Sequence, residues 1–110
     1  MQIKMFQRDS SVYLVILSLT ALQIWNFDDP RQVYKQSSLK LVYAGGELKL
    51  ADDLSKIYAA GASEGVYEVD LRFDAAGTPE LEMNRVISTP GFDVQSFTFL
   101  NEEDKLLVVE

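Results

Sequence analysis

The chain of 110 residues contains no cysteine and no histidine. Without cysteine, neither a disulfide framework nor a thiolate metal site can be built. Without histidine, the commonest general base and the commonest metal ligand disappear together, and most hydrolase and zinc-site chemistry goes with them. Positive charge is scarce: ten Lys and Arg stand against seventeen Asp and Glu, a formal charge of -7, with no basic block. Phosphate backbones and anionic membrane surfaces are repelled on average, so nucleic acid is not an expected partner and a membrane is a poor one. A charge of this size serves solubility in a small domain. The chain also lacks a run of the about 20 apolar residues that a spanning helix needs. Its longest apolar stretch, VYLVILSLTAL from Val12 to Leu22, follows Lys4 and Arg8 and has the flavour of a signal-peptide core. Asp9 before it, and Gln23, Trp25 and Asn26 where small residues would mark a cleavage site, favour a pair of buried strands instead.

What is present is apolar residue in short pieces. At 47% hydrophobic, the composition fits one globular domain over residues 1–110. Sliding the chain by 44 positions lays Met5 to Phe27 on Lys49 to Leu71 without a gap. Asp9 then meets Asp53 and Ser11 meets Ser55, and apolar positions coincide: Phe6 with Leu50, Tyr13 with Ile57, Val15 with Ala59, Leu22 with Val66, Trp25 with Val69, Phe27 with Leu71. A third partial copy, FTFLNEEDKLLVV from Phe97 to Val109, lies on Leu48 to Ala60.

A unit of this length holding four short strands has the spacing of a β-propeller blade. The expected strands of the first unit are Gln2 to Phe6, Val12 to Leu17, Ala21 to Phe27 and Leu39 to Tyr43. Those of the second are Glu47 to Ala51, Lys56 to Ala60, Gly65 to Leu71 and Met83 to Ser88, and a hairpin follows from DVQSFTFL and KLLVVE. Their Val, Ile, Tyr, Phe and Leu suit a pleated surface. Asp28-Asp29-Pro30, Gly45-Gly46, Gly77-Thr78-Pro79 and Pro90-Gly91 mark corners. Helical spacing of Leu54, Ile57 and Tyr58 over Asp52 to Ala60 is cut short by Gly61, so turn plus strand is expected there. The expected fold is all-β: consecutive four-stranded antiparallel meander sheets arranged as propeller-like blades in an incomplete propeller. Blade 1 covers about 2–43, blade 2 about 47–88, and a half blade about 93–110.

LQIWNFDDP, Leu22 to Pro30, resembles the hallmark of the LVIVD-repeat propellers, a strand of the form Leu-Gln-Ile-Ile-Asp-Val followed by Ser, a variable residue and Pro. Trp25, Asn26 and Asp28 replace the second Ile, the Asp and the Ser. GVYEVDL with the preceding LADDLSKIYAAGASE is similar to the rest of that unit. Ala21 stands where glycine is usual, and Asp74 in the second copy where the first has Pro30. The Gly-His and Trp-Asp pairs of WD repeats are missing, so Trp25 reads as a core ring packed between neighbouring sheets.

No residue qualifies as catalytic, cofactor-binding or metal-binding. The acidic pairs Asp28-Asp29 and Asp52-Asp53, and the run Asn101 to Asp104, read as solvated turn charge and lack calcium-loop spacing. Ser10, Ser11, Ser37, Ser38, Ser55, Ser63 and Ser88 have no histidine to activate them and no nucleophile elbow. Nor does a Gly-Lys-Ser/Thr follow Gly45-Gly46 as a phosphate loop would require. No cofactor is expected. The function expected is a non-catalytic repeat module for protein–protein interaction within a larger propeller or assembly, with a protein partner or self-association through exposed sheet edges. The alternative is a fragment of a propeller hydrolase resembling the lactonases, suggested by GVYEVDLRFDAAGTPELE and DKLLVVE.

Overall fold

The computed structural model describes residues 1–42, 44, 46–61 and 65–88, together with the strands Ser96–Phe99 and Leu106–Val109, of which Phe97 alone is described beyond its backbone. The fold is all-β. Strands β1 (Gln2–Arg8), β2 (Ser11–Leu17), β3 (Ala21–Asn26) and β4 (Tyr34–Lys40) form one antiparallel meander. A second consists of β5 (Leu48–Leu50), β6 (Lys56–Ala60), β7 (Val66–Phe73) and β8 (Pro79–Ile87), and β9 (Ser96–Phe99) pairs with β10 (Leu106–Val109). The apolar stretch from Val12 to Leu22 is β2, a turn and the start of β3. Asp52 to Ser55 is a turn and Lys56–Ala60 a strand, without helix. Pro90 and Gly91, Gly45 and the acidic run 101–104 lie outside the described residues.

The fourth strand of the second sheet begins at Pro79 rather than at the expected Met83 and ends at Ile87, and the fourth strand of the first sheet differs further from expectation. It is Tyr34–Lys40, sequence YKQSSLK, rather than 39–43. This edge strand is polar because it has one neighbour and little to bury. Leu41, only 3% exposed, covers the core from the connection that follows.

The two sheets stack around one core. Phe6, Tyr13, Val15, Leu17, Leu22 and Ile24 of the first meet Leu48, Ile57, Ala59, Tyr67, Val69 and Leu71 of the second. At one end Phe6 stacks on Tyr13, Phe73 packs edge-on to Phe6 at 6.4 Å between centroids, and Tyr13 Oη donates to the Gly77 carbonyl at 3.3 Å. The β1–β2 turn of sheet one therefore lies beside the β7–β8 turn of sheet two. Because β1 also neighbours β5 and β4 neighbours β8, the sheets stack in the same strand order with strands running the same way.

A β-bulge fixes the correspondence. The β3–β4 register shifts between Ile24 and Trp25, and the β7–β8 register shifts between Glu68 and Val69, 44 positions further on. Ile24 is paired with Val15, whereas Glu68 is paired with Tyr58. Val15 thus corresponds to Tyr58, and the gapless alignment of Tyr13 with Ile57 and Val15 with Ala59 does not hold in space. The cause is the second turn: Ser18 N bonds the Ala21 carbonyl in sheet one, but Gly61 N bonds the Gly65 carbonyl in sheet two, one residue wider. A one-residue slip turns a strand's side chains to the other face.

With that register, Leu17 and Leu22, which face sheet two, correspond to Ala60 and Val66, which face the β9–β10 hairpin. Tyr58, Ala60, Val66 and Ala51 form a second core with Phe97. Phe97 N also donates to Glu47 Oε1 at 3.2 Å. Each layer offers the same face to the one after it.

Candidate interaction surface

The face of sheet one turned away from sheet two is built by alternation. Cross-strand partners share a face, and the rows Met5–Leu14–Trp25–Lys35 and Ile3–Ile16–Gln23–Ser38 run across all four strands. Gln7 and Val12 are paired beside them, and Phe27, whose amide bonds to the Val12 carbonyl, continues the alternation. Ile3 is 55% exposed and Met5 60%, while Val12, Leu14, Ile16, Trp25 and Phe27 are partly exposed. Trp25 is therefore not the inter-sheet core ring expected of it. Its Nε1 donates to Gln23 Oε1 at 2.9 Å on the same face. The corresponding positions in sheet two are Leu48 for Ile3, Ile57 for Leu14, Ala59 for Ile16 and Val69 for Trp25, each wholly buried. Strands β1 to β3 put no charged residue on this face, and Lys35 and Lys40 border it on β4.

The far side of sheet two is different in kind. Lys56 Nζ lies 2.8 Å from Asp70 Oδ1 and 3.6 Å from Glu68 Oε2. Arg85 is 3.3 Å from Glu68, Arg72 is 3.4 Å from both Asp70 and Glu82, and Asn84 donates to Asp70 at 3.0 Å. The bond to Asp70 raises the Lys56 pKa above its usual value. Lys56, and then Asn84, hold Asp70 below the usual carboxylate value. Glu68, 5% exposed, has a cation on each side, as a buried carboxylate requires. These charges are spent on each other and staple β6, β7 and β8.

The acidic turns have structural partners too. Asp28 accepts the Val12 amide and lies against the Asn26 amide group, Asp53 accepts Ser55 N and Oγ, and Asp74 accepts the amides of Ala76 and Thr78. Asp29 accepts Arg31 N. Ser55 is thereby engaged, and Ser37 and Ser38 lie in β4. Among the described residues no three acids assemble as a metal cradle, and no helix is long and apolar enough to cross a membrane.

Sequence reading named no site residue and missed this face. The signal was present: Val12 to Leu17 is apolar at every position, the pattern of a strand with apolar residues on both faces rather than one. Comparison with family models, with curated proteins and with solved structures yields no match.

Proposed function

We propose that the chain is a non-catalytic β-propeller-type repeat module, resembling the LVIVD-repeat group, that mediates protein–protein interaction within a larger propeller or assembly. One observation carries this reading. The outer face of sheet one is the positional counterpart of the sheet-two face that sheet one buries, and it is apolar at Ile3, Met5, Leu14, Ile16 and Trp25. A face with the make-up of a core and no cover within the described chain is a binding surface by its chemistry. The same-way stacking of successive sheets supports a propeller-type arrangement, and the mutually paired charges of Lys56, Glu68 and Asp70 support a structural rather than a catalytic role for the most polar cluster.

The deciding assay is hydrolysis of a panel of lactones and carboxylic esters with and without divalent cations. The module reading expects no turnover above buffer. Turnover abolished by a chelator would overturn it.

A further inference from the structure

Resting on the interaction-module reading above, we infer that the outer face of sheet one is covered by the same face of a second copy of this chain, giving a two-fold, sheet-on-sheet dimer with Trp25 of each copy at its centre.

Charge argues first. The chain carries -7, so two copies repel unless they approach through a surface without carboxylates. Ile3, Met5, Gln7, Val12, Leu14, Ile16, Gln23 and Trp25 make such a surface across three strands. The charges at its margins are Lys35 and Lys40 on β4 and, at the Val12 end, the Asp28 carboxylate, already bonded to the Val12 amide. A two-fold axis along the strands lays β4 of one copy over β1 of the other. Lys35 then rests its aliphatic stem near Ile3 and Met5 instead of meeting its own mate.

Size argues second. Four strands spaced about 4.8 Å apart and about seven residues long give about 400 Å² per copy in projection. Side-chain relief brings the pair to about 1,000 Å² in total, the lower bound for a specific interface.

Alternative docking on the same chain argues third. A head-to-tail pairing would set this face against the far side of sheet two. Phe97 already covers Tyr58, Ala60 and Val66 there, and Lys56, Asp70, Arg72 and Glu82 occupy the rest. Pressing those charges onto Leu14 and Trp25 would strip their remaining water and offer them no new polar partner. The self-pairing buries only apolar and neutral groups.

Trp25 is the one tryptophan of the chain and reports the interface directly. The full chain is examined by sedimentation equilibrium from 1 to about 200 μM alongside tryptophan emission, a range that brackets micromolar dissociation constants. The expected result is a monomer–dimer equilibrium limiting at twice 12.4 kDa, with emission shifting to the blue along the same curve. Met5→Lys, at an already exposed side chain, weakens the dimer at least tenfold and leaves the circular dichroism of the monomer unchanged. Leu14→Lys does so more strongly. Four outcomes overturn the inference: a monomer throughout, species that keep growing beyond the dimer, a dimer whose formation leaves Trp25 emission unmoved, or a dimer indifferent to both lysines. None of these bears on hydrolysis, so a failed dimer and a failed module reading are told apart.

Discussion

The Asp28 carboxylate accepts the backbone amide of Val12 at 2.7 Å, tying the end of β3 to the start of β2 across the first sheet. Asn26 completes the corner: its Oδ1 accepts the Asp28 amide and its Nδ2 donates to Asp28 Oδ2. The Val12 bond is the leading cause that holds Asp28 below the usual carboxylate pKa. Asp53 is held low by Ser55 and Asp70 by Lys56.

Acid sensitivity follows from these three. A carboxylate whose folded pKa is depressed contributes stability above its unfolded value, and that contribution is lost as pH falls through the folded one. Stability is expected to be flat in these groups at neutral pH and to fall below about pH 4. Asp28→Asn should lower the melting temperature at pH 7 and shrink the drop between pH 4 and pH 2. Thermal melts across that range read both effects, and an unchanged acid slope in the variant would refute the assignment.

At the alkaline end the sign reverses. Lys56 is raised above its usual 10.5, so its stabilisation is complete at neutral pH and is lost as pH climbs through the raised value. Lys56→Met leaves Asp70 and the buried Glu68 short of a cation. It should cost about 1–3 kcal/mol in urea unfolding, less than a fully buried pair because Lys56 is partly exposed. Converting Glu68 to Gln in the same chain should restore part of that loss.

Gly65 has φ near +107°, and a Cβ there would run into the carbonyl oxygen of Ile87. Gly65→Ala should destabilise the fold by about 1–3 kcal/mol through backbone strain and that clash. Gly77→Ala, with a similar φ but open space around it, should cost clearly less. Equal losses at the two sites would remove the steric part of the explanation.

Gln36 is the extra residue of the first bulge, and its Oε1 is the one buried side-chain oxygen or nitrogen without a hydrogen-bond partner among the described residues. Replacing it by Met removes an unpaired polar atom while keeping the shape, and should leave stability unchanged or raise it by about 1 kcal/mol. A marked loss in chemical denaturation would mean that the amide has a role in the bulge.

In the core, Leu22→Ala, at a wholly buried position, should cost about 2–5 kcal/mol. Ile3→Ala, on the same sheet but facing outward, should cost far less in the monomer. Chevron or equilibrium unfolding at low protein concentration distinguishes them.

The strands themselves were legible wherever burial and pleat agree. Val12 to Leu17 and Lys56 to Ala60 are apolar and bounded by turn chemistry, and both are strands. Tyr34–Lys40 escaped detection because an edge strand is held by backbone bonds that leave no apolar trace, while Leu41 and Ala44 are buried in a connection and mimic one. The orientation of Trp25 was illegible for another reason. Strand β2 is apolar on both faces, at Tyr13, Val15 and Leu17 as at Val12, Leu14 and Ile16, so alternation alone does not say which face, and with it which side of the neighbouring β3, meets the second sheet. The Lys56–Glu68–Asp70 staple could have been anticipated only with the β6–β7 register in hand, since its members are scattered along the chain.

The paired bulges have one more consequence. Both β4 and β8 are outer rims, and each carries an irregularity that breaks the even comb of amides and carbonyls a foreign strand would need in order to zip on. Sideways ribbon growth from those rims is therefore discouraged, whatever happens on the flat surfaces. In a crowded solution this protein should close face to face before it lengthens its sheets.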